Sequence, residues 1–131
     1  MSNFRTLLVW QKSMTLITKI YSLTNKFPKE EVFGLTSQIK RSSISIPSNI
    51  AEGYGRESNK ELLRFLSISI GSLFEMQTQL EIAKNISYLK EDDFNNLYED
   101  TREIERMLVS FIKKIKAEPN LSTLASQNLS T

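Results

Sequence analysis

Gln38, Arg41, Ser45, Asn49, Glu52 and Arg56 follow one another at spacings of three, four, four, three and four. On a helix this spacing aligns amides, a hydroxyl, a carboxylate and two guanidinium groups along one stripe. Ser72, Glu75 and Gln79, also spaced by three and four, offer a counterpart on a second segment. Arg41 and Arg56 could then each meet a carboxylate, Glu52 or Glu75, in bidentate fashion. Three chemistries compete for such residues. A solvated helix face is the commonest. A buried polar network would fix the register of neighbouring helices or subunits, with partnered charges giving specificity more than stability. A carboxylate site would serve general acid–base chemistry or Mg²⁺. The stripe mixes both charges with amides and a hydroxyl over six positions rather than gathering acids. That favours the register-setting network.

The chain has no Cys and no His. Disulfides, thiolate nucleophiles, imidazole bases and the usual zinc ligands are therefore excluded, and with them Ser-His-Asp and Cys-His sites. Carboxylate metal sites in helical bundles usually carry Glu-x-x-His pairs, which this chain cannot supply. A non-enzymatic protein without cofactor or metal is expected.

A second constellation is basic. Lys12, Lys19 and Lys26 recur every seven residues, with Arg5 ahead of them and Lys40 nearby. Such a strip could contact the phosphates of RNA or DNA, although evenly spaced lysines also serve simply as solubility residues. Net charge is +2, but residues 1–64 hold ten Lys/Arg against five Glu, and residues 65–131 hold seven against ten acids. A basic half beside an acidic half suits an anionic partner or head-to-tail self-association.

These residues need elements to position them. The length of 131 residues suits one domain with a single core, and 40% apolar with 24% charged residues describes a globular chain. No apolar run reaches the roughly 18 residues that span a bilayer, and the first residues carry no signal-peptide pattern, so a cytoplasmic address is expected. Helical periods predict four helices. The first covers about 7–25, with Trp10, Met14, Ile17, Tyr21 and Thr24 as its stripe, and ends before Pro28. The third starts at a Ser58/Glu61 capping box and runs to about Ser87 on Leu62, Leu66, Ser69, Leu73, Met76, Leu80 and Ala83. Gly71 inside it reads as a place of close helix approach. The fourth covers about 92–116 on Leu97, Thr101, Ile104, Leu108, Phe111 and Ile115. The bundle is thus expected over 1–117, with 118–131 a flexible tail. Phe65, Ile68, Ile70 and Phe74 cover more of the third helix than one core needs, which predicts self-association.

The second helix holds the stretch "IPSNIAEGYGRES". Leu35, Ile39, Ile46 and Ile50 form a face that carries straight through Pro47. A proline costs a helix interior roughly 3 kcal/mol and strands the carbonyl four residues earlier. Nearby serines can re-satisfy it at a kink, so the helix is predicted over about 33–53, bent at Pro47 and stopped by Gly53 and Gly55.

Residues 7–89 resemble the small four-helix-bundle proteins encoded within intervening sequences of bacterial 23S ribosomal RNA genes. "VWQK", "FGLTSQI", "SIPSNIAEGYGR" and "GSLFEMQTQLEIA" carry the resemblance. One departure is "KRSS" at 40–43, where the family has two arginines and then alanines. The resemblance implies an all-α, up-and-down four-helix bundle assembling as a homopentameric barrel with a central channel. It extends to the accessory variability determinant proteins of diversity-generating retroelements, which bind nucleic acid and a reverse transcriptase through a basic surface. It supplies no catalytic residues. The expected function is a non-enzymatic oligomeric bundle that binds nucleic acid weakly. The alternative is a protein-interaction scaffold or adaptor without nucleic acid.

Overall fold

A computed structural model describes residues 3–117, and every regular element among them is helical. A 3-10 turn at Phe4–Thr6 precedes α1 (Leu8–Thr24), and a second at Lys29–Glu31 precedes α2 (Leu35–Tyr54). α3 (Asn59–Asn85) and α4 (Glu91–Ala117) complete the bundle. Each helix packs on its neighbour in sequence, and α1 also meets α4. Contacts rising along α2 fall along α3, from Ser42–Gln79 through Ser45–Ser72 to Ser69 against the Ile46 carbonyl. The two helices are therefore antiparallel. Lys12–Glu103 and Lys19–Asp100 show the same for α1 and α4. The expected tail at 118–131 lies outside the described residues.

The seams expected for α3 and α4 are buried in full. α1 differs. Its buried line is Val9, Ser13, Leu16, Ile20 and Thr24, while Met14 and Tyr21 are exposed. The helix is apolar on more than one side, and Ser13 and Thr24 can be buried because their hydroxyls donate to the carbonyls of Val9 and Ile20, both at 2.8 Å. Thr101 does likewise on α4, donating to the Tyr98 carbonyl at 2.6 Å.

α2 continues through Pro47, which is buried. Ser42 and Ser43 donate instead to the carbonyls of Ile39 and Lys40. Gly53 does not stop the helix. It lies inside it, and a Cβ there would meet Phe65 Cβ at 2.8 Å and Leu62 Cδ1 at 3.2 Å. The glycine exists for close approach of α2 to α3, and the helix ends one residue later with Gly55 as its C-cap at φ −79°. Gly71 has the reverse outcome, since a Cβ there would meet nothing within 4 Å. At the start of α3, Ser58 Oγ accepts the Glu61 amide at 3.2 Å, but the Glu61 carboxylate turns to Arg64 Nε at 3.0 Å, so only half of the capping box forms.

The far end is closed by Glu31. Its Oε1 accepts the Leu35 amide at 3.0 Å, capping α2, and its Oε2 accepts the Tyr88 hydroxyl proton at 2.9 Å. A side chain at Gly34 would displace that cap, because its Cβ would sit 2.6 Å from Glu31 Oε1. Ser87 adopts the left-handed conformation at φ 67°, reversing the chain so that Tyr88 reaches Glu31 and packs on Phe27 at 5.7 Å. The Leu35 amide first, then the Tyr88 hydroxyl, hold the Glu31 carboxyl below the usual carboxylate range.

Two predictions follow from this packing. Gly53→Ala should destabilise the bundle by about 1–3 kcal/mol through overpacking, whereas Gly71→Ala should stabilise an isolated bundle by up to about 1 kcal/mol of helix propensity. Denaturant unfolding of the two variants checks both. Glu31 has a lowered folded pKa, so its stabilising contribution is present above the ordinary carboxylate value and lost as pH falls through the folded one. The melting-temperature gap between wild type and Glu31→Gln should therefore shrink between about pH 6 and pH 3.

Candidate polar groove and basic surface

Serines of α2 face serines of α3 across the helix pair. Small residues make a close approach possible, and their hydroxyls must then find partners away from water. Ser69 Oγ donates to the Ile46 carbonyl at 2.9 Å. Ser42 Oγ lies 2.7 Å from Gln79 Oε1 and 3.1 Å from the Ile39 carbonyl, one hydrogen serving two acceptors. Asn49 Nδ2 donates to the Ser45 carbonyl and Oγ at 2.8 and 2.9 Å, and Ser45 Oγ stands 2.7 Å from Ser72 Oγ. Of the residues grouped by spacing, Ser45, Asn49 and Ser72 meet across the helix pair, while Gln79 bonds Ser42, which lies outside the stripe.

The charged members do not enter that interface. Gln38, Arg41, Glu52, Arg56 and Glu75 are exposed. Glu52 and Arg56 pair with each other at 3.3 Å along α2, with side chains 58% and 44% exposed. Arg41 and Glu75 flank an open groove of about 400 Å³ with Gln38, Ser42, Ser45 and Ser72, yet take part in no ion pair among the described residues. The expected buried charged network is thus a neutral hydroxyl–amide network with charges on its rim. The reason is geometric: backbones this close leave no room for a guanidinium between them. The groove contains one carboxylate, and no cluster of three or more metal-ligating side chains occurs among the described residues.

The basic strip is also redistributed. Lys12 pairs with Glu103 at 3.1 Å, and Lys19 pairs with Asp100 at 2.8 Å and reaches Asn96 at 3.3 Å. Both lysines therefore serve the α1–α4 seam. Lys40 Nζ lies 4.6 Å above the Tyr21 ring, joining α1 to α2. Arg5 lies 4.6 Å over Phe4, whose ring meets Trp10 edge-on at 5.2 Å. Lys26 is exposed in the turn after α1. These five residues form no single face. Arg56, which spacing placed in the polar stripe, and Arg64, which it overlooked, hold their guanidiniums 5.0 and 4.4 Å from the Phe65 ring. Their i and i+8 relation across the α2–α3 turn was the available signal.

With this geometry in view, comparison with known proteins is informative. The family model described as 23S rRNA-intervening sequence protein matches residues 5–110. The chain belongs to this family. No curated protein sequence matches it. Among solved structures it is similar to a protein of unknown function from the S23 ribosomal protein family of Bacteroides thetaiotaomicron, with 27% identity and a TM-score of 0.73. That similarity covers 81% of this chain and 99% of the other. The fold is thus shared with that protein. No helix among the described residues is long and apolar enough to cross a membrane.

The two halves of the stripe should separate on mutation. Gln79→Ala, which removes the buried acceptor of Ser42, should destabilise the protein by about 1–3 kcal/mol. Glu52→Ala, which opens an exposed pair, should change stability by only a few tenths, roughly 0.3 kcal/mol. Equilibrium urea unfolding of both variants measures the contrast.

Proposed function

We propose that this chain is a non-enzymatic, self-associating four-helix scaffold that binds nucleic acid weakly through basic surface residues. The observation that carries self-association is the apolar surface its own fold leaves uncovered. Of the four residues expected to signal it, Phe65 is buried against Gly53 and Ile70 packs on the core, while Ile68 and Phe74 stay exposed. Ile82 and Ile86 extend this line along α3, and Phe33, in the turn before α2, is 95% exposed. A phenylalanine held wholly in water gains most when a partner covers it. Five copies closing a ring, as the family resemblance implies, would gather the charge of +2 per chain into one larger field.

Nucleic-acid binding rests on that positive charge and is electrostatic, hence weak, tolerant of sequence and steeply salt-dependent. Phe33 also favours the second reading, an adaptor for a protein partner, because a solitary exposed aromatic is a typical anchor in a protein pocket.

Light scattering at micromolar concentration should give a mass several times the 15.1 kDa of one chain. Phe33→Ser should lower that mass without lowering the melting temperature, since the ring supports nothing inside the chain. A wild-type mass near that of one chain would remove the scaffold reading.

A further inference from the structure

Counting charge by halves of the chain hides how the fold distributes it. Because α3 and α4 run antiparallel, the last turns of α4 lie beside the first turns of α3. Lys113, Lys114 and Lys116 therefore share one end of the bundle with Arg56, Lys60 and Arg64, and with Arg5 ahead of α1. Among the described residues these seven cations stand against three acids at that end, Glu52, Glu57 and Glu61. Two of the acids are already engaged, Glu52 by Arg56 and Glu61 by Arg64. Lys60, Lys113 and Lys116 take part in no ion pair among the described residues. The opposite end carries no such excess: Lys26, Lys29, Lys40, Lys84 and Lys90 stand beside six acids, among them Glu91, Asp92 and Asp93 in the first turn of α4.

Helix dipoles do not blur this polarity, because antiparallel helices place opposite dipole ends side by side. The two ends are separated by roughly 40 Å, the length of α3 at about 1.5 Å per residue. That is on the order of five Debye lengths at physiological salt, so a polyanion at one end is screened from the other. It meets an excess of four positive charges rather than the net +2 of the whole chain. Arg56 and Arg64 are also held in place over Phe65, so their charges are positioned before anything binds.

We infer that the end of the bundle formed by the α2–α3 turn and the last turns of α4, and not the lysine face of α1, is the docking surface for the phosphate backbone of a nucleic acid, with Lys60, Lys113 and Lys116 as its contacts. The inference rests on the nucleic-acid reading above and gives it a place. Lys12 and Lys19 are excluded as primary contacts because each already holds a carboxylate of α4.

Fluorescence polarisation with a labelled RNA hairpin and a labelled DNA duplex, titrated from about 20 to 200 mM salt, tests this. The triple variant Lys60→Gln, Lys113→Gln, Lys116→Gln should weaken binding at least about tenfold at low salt and reduce the slope of log affinity against log salt by about 2–3. The matching triple change to Arg should restore both. Lys12→Gln with Lys19→Gln should stay within about threefold of wild type. Unchanged binding in the Gln triple variant, with circular dichroism showing all variants folded, overturns the location while leaving the nucleic-acid reading intact. Equal losses in both sets of variants also overturn it, by making the charge diffuse. No binding of either probe by wild type at the lowest salt removes the reading and the inference together. Binding of RNA but not DNA, lost in the Gln triple variant, supports the location and identifies the backbone.

Discussion

The approach of α2 to α3 at Gly53 constrains the rest of the bundle. With a hydrogen in place of a side chain, Leu62 and Phe65 can lie against the α2 backbone, and the serines further along keep the two helices close. Close backbones exclude long side chains, so the interface is lined by hydroxyls and amides, and each must be hydrogen-bonded because water is excluded with the bulk. Ser69 on the Ile46 carbonyl, Ser42 on Gln79 and Ser45 on Ser72 satisfy that demand. The proline next to Ile46 is tolerable in this setting. The helix around it is held by packing on one face rather than by every backbone bond.

The same closeness forces the charges outward. Arg41 and Glu75 are left on either rim of the groove, and Glu52 and Arg56 are left to each other. The α1–α4 seam is built on the opposite principle. Its outer edge is tied by long side chains, Lys12 to Glu103 and Lys19 to Asp100, which cross a wider gap. A bundle with one tight, neutral seam and one wider, charged seam is asymmetric about its axis. Its tight side is the side on which the α3 isoleucines remain uncovered.

How legible this was in the sequence depends on what each signal reports. The seam of α4 was legible because polar residues flank a single apolar stripe, and that of α3 because its three-four spacing runs unbroken from Leu62 to Ala83 despite the apolar residues outside it. The α1 stripe was misplaced, apart from Thr24, because Trp10, Met14 and Tyr21 compete with Val9, Leu16 and Ile20, and large residues were favoured over a line containing Ser13. Ser13 and Thr24 are buried only because their hydroxyls bond back to their own helix. Glycine was harder still. Gly53 and Gly71 look alike in sequence, one near a helix end and one mid-helix, and only the neighbouring helix reveals which of them fills no space. The polar stripe was recognised as a unit, but period alone cannot say how far its rim stands from the interface.

Charge was the least legible property, because its effect depends on the fold's direction and not on sequence order. An antiparallel path brings the last turns of α4 beside the first turns of α3 and separates residue 91 from both. A chain that seems basic first and acidic later becomes a molecule with its cationic excess at one end and near balance at the other. Side chains that the bundle needs for itself are the ones found paired or packed: Lys12, Lys19, Lys40 and Glu31. What it leaves unpaired or uncovered separates in space, with cations at the end where α3 begins, isoleucines along the outer face of α3, and Phe33 at the opposite turn. Phe33 lies away from the cationic end, which carries no comparable exposed aromatic. The polyanion site proposed above and the exposed Phe33 therefore do not compete for the same end of the bundle.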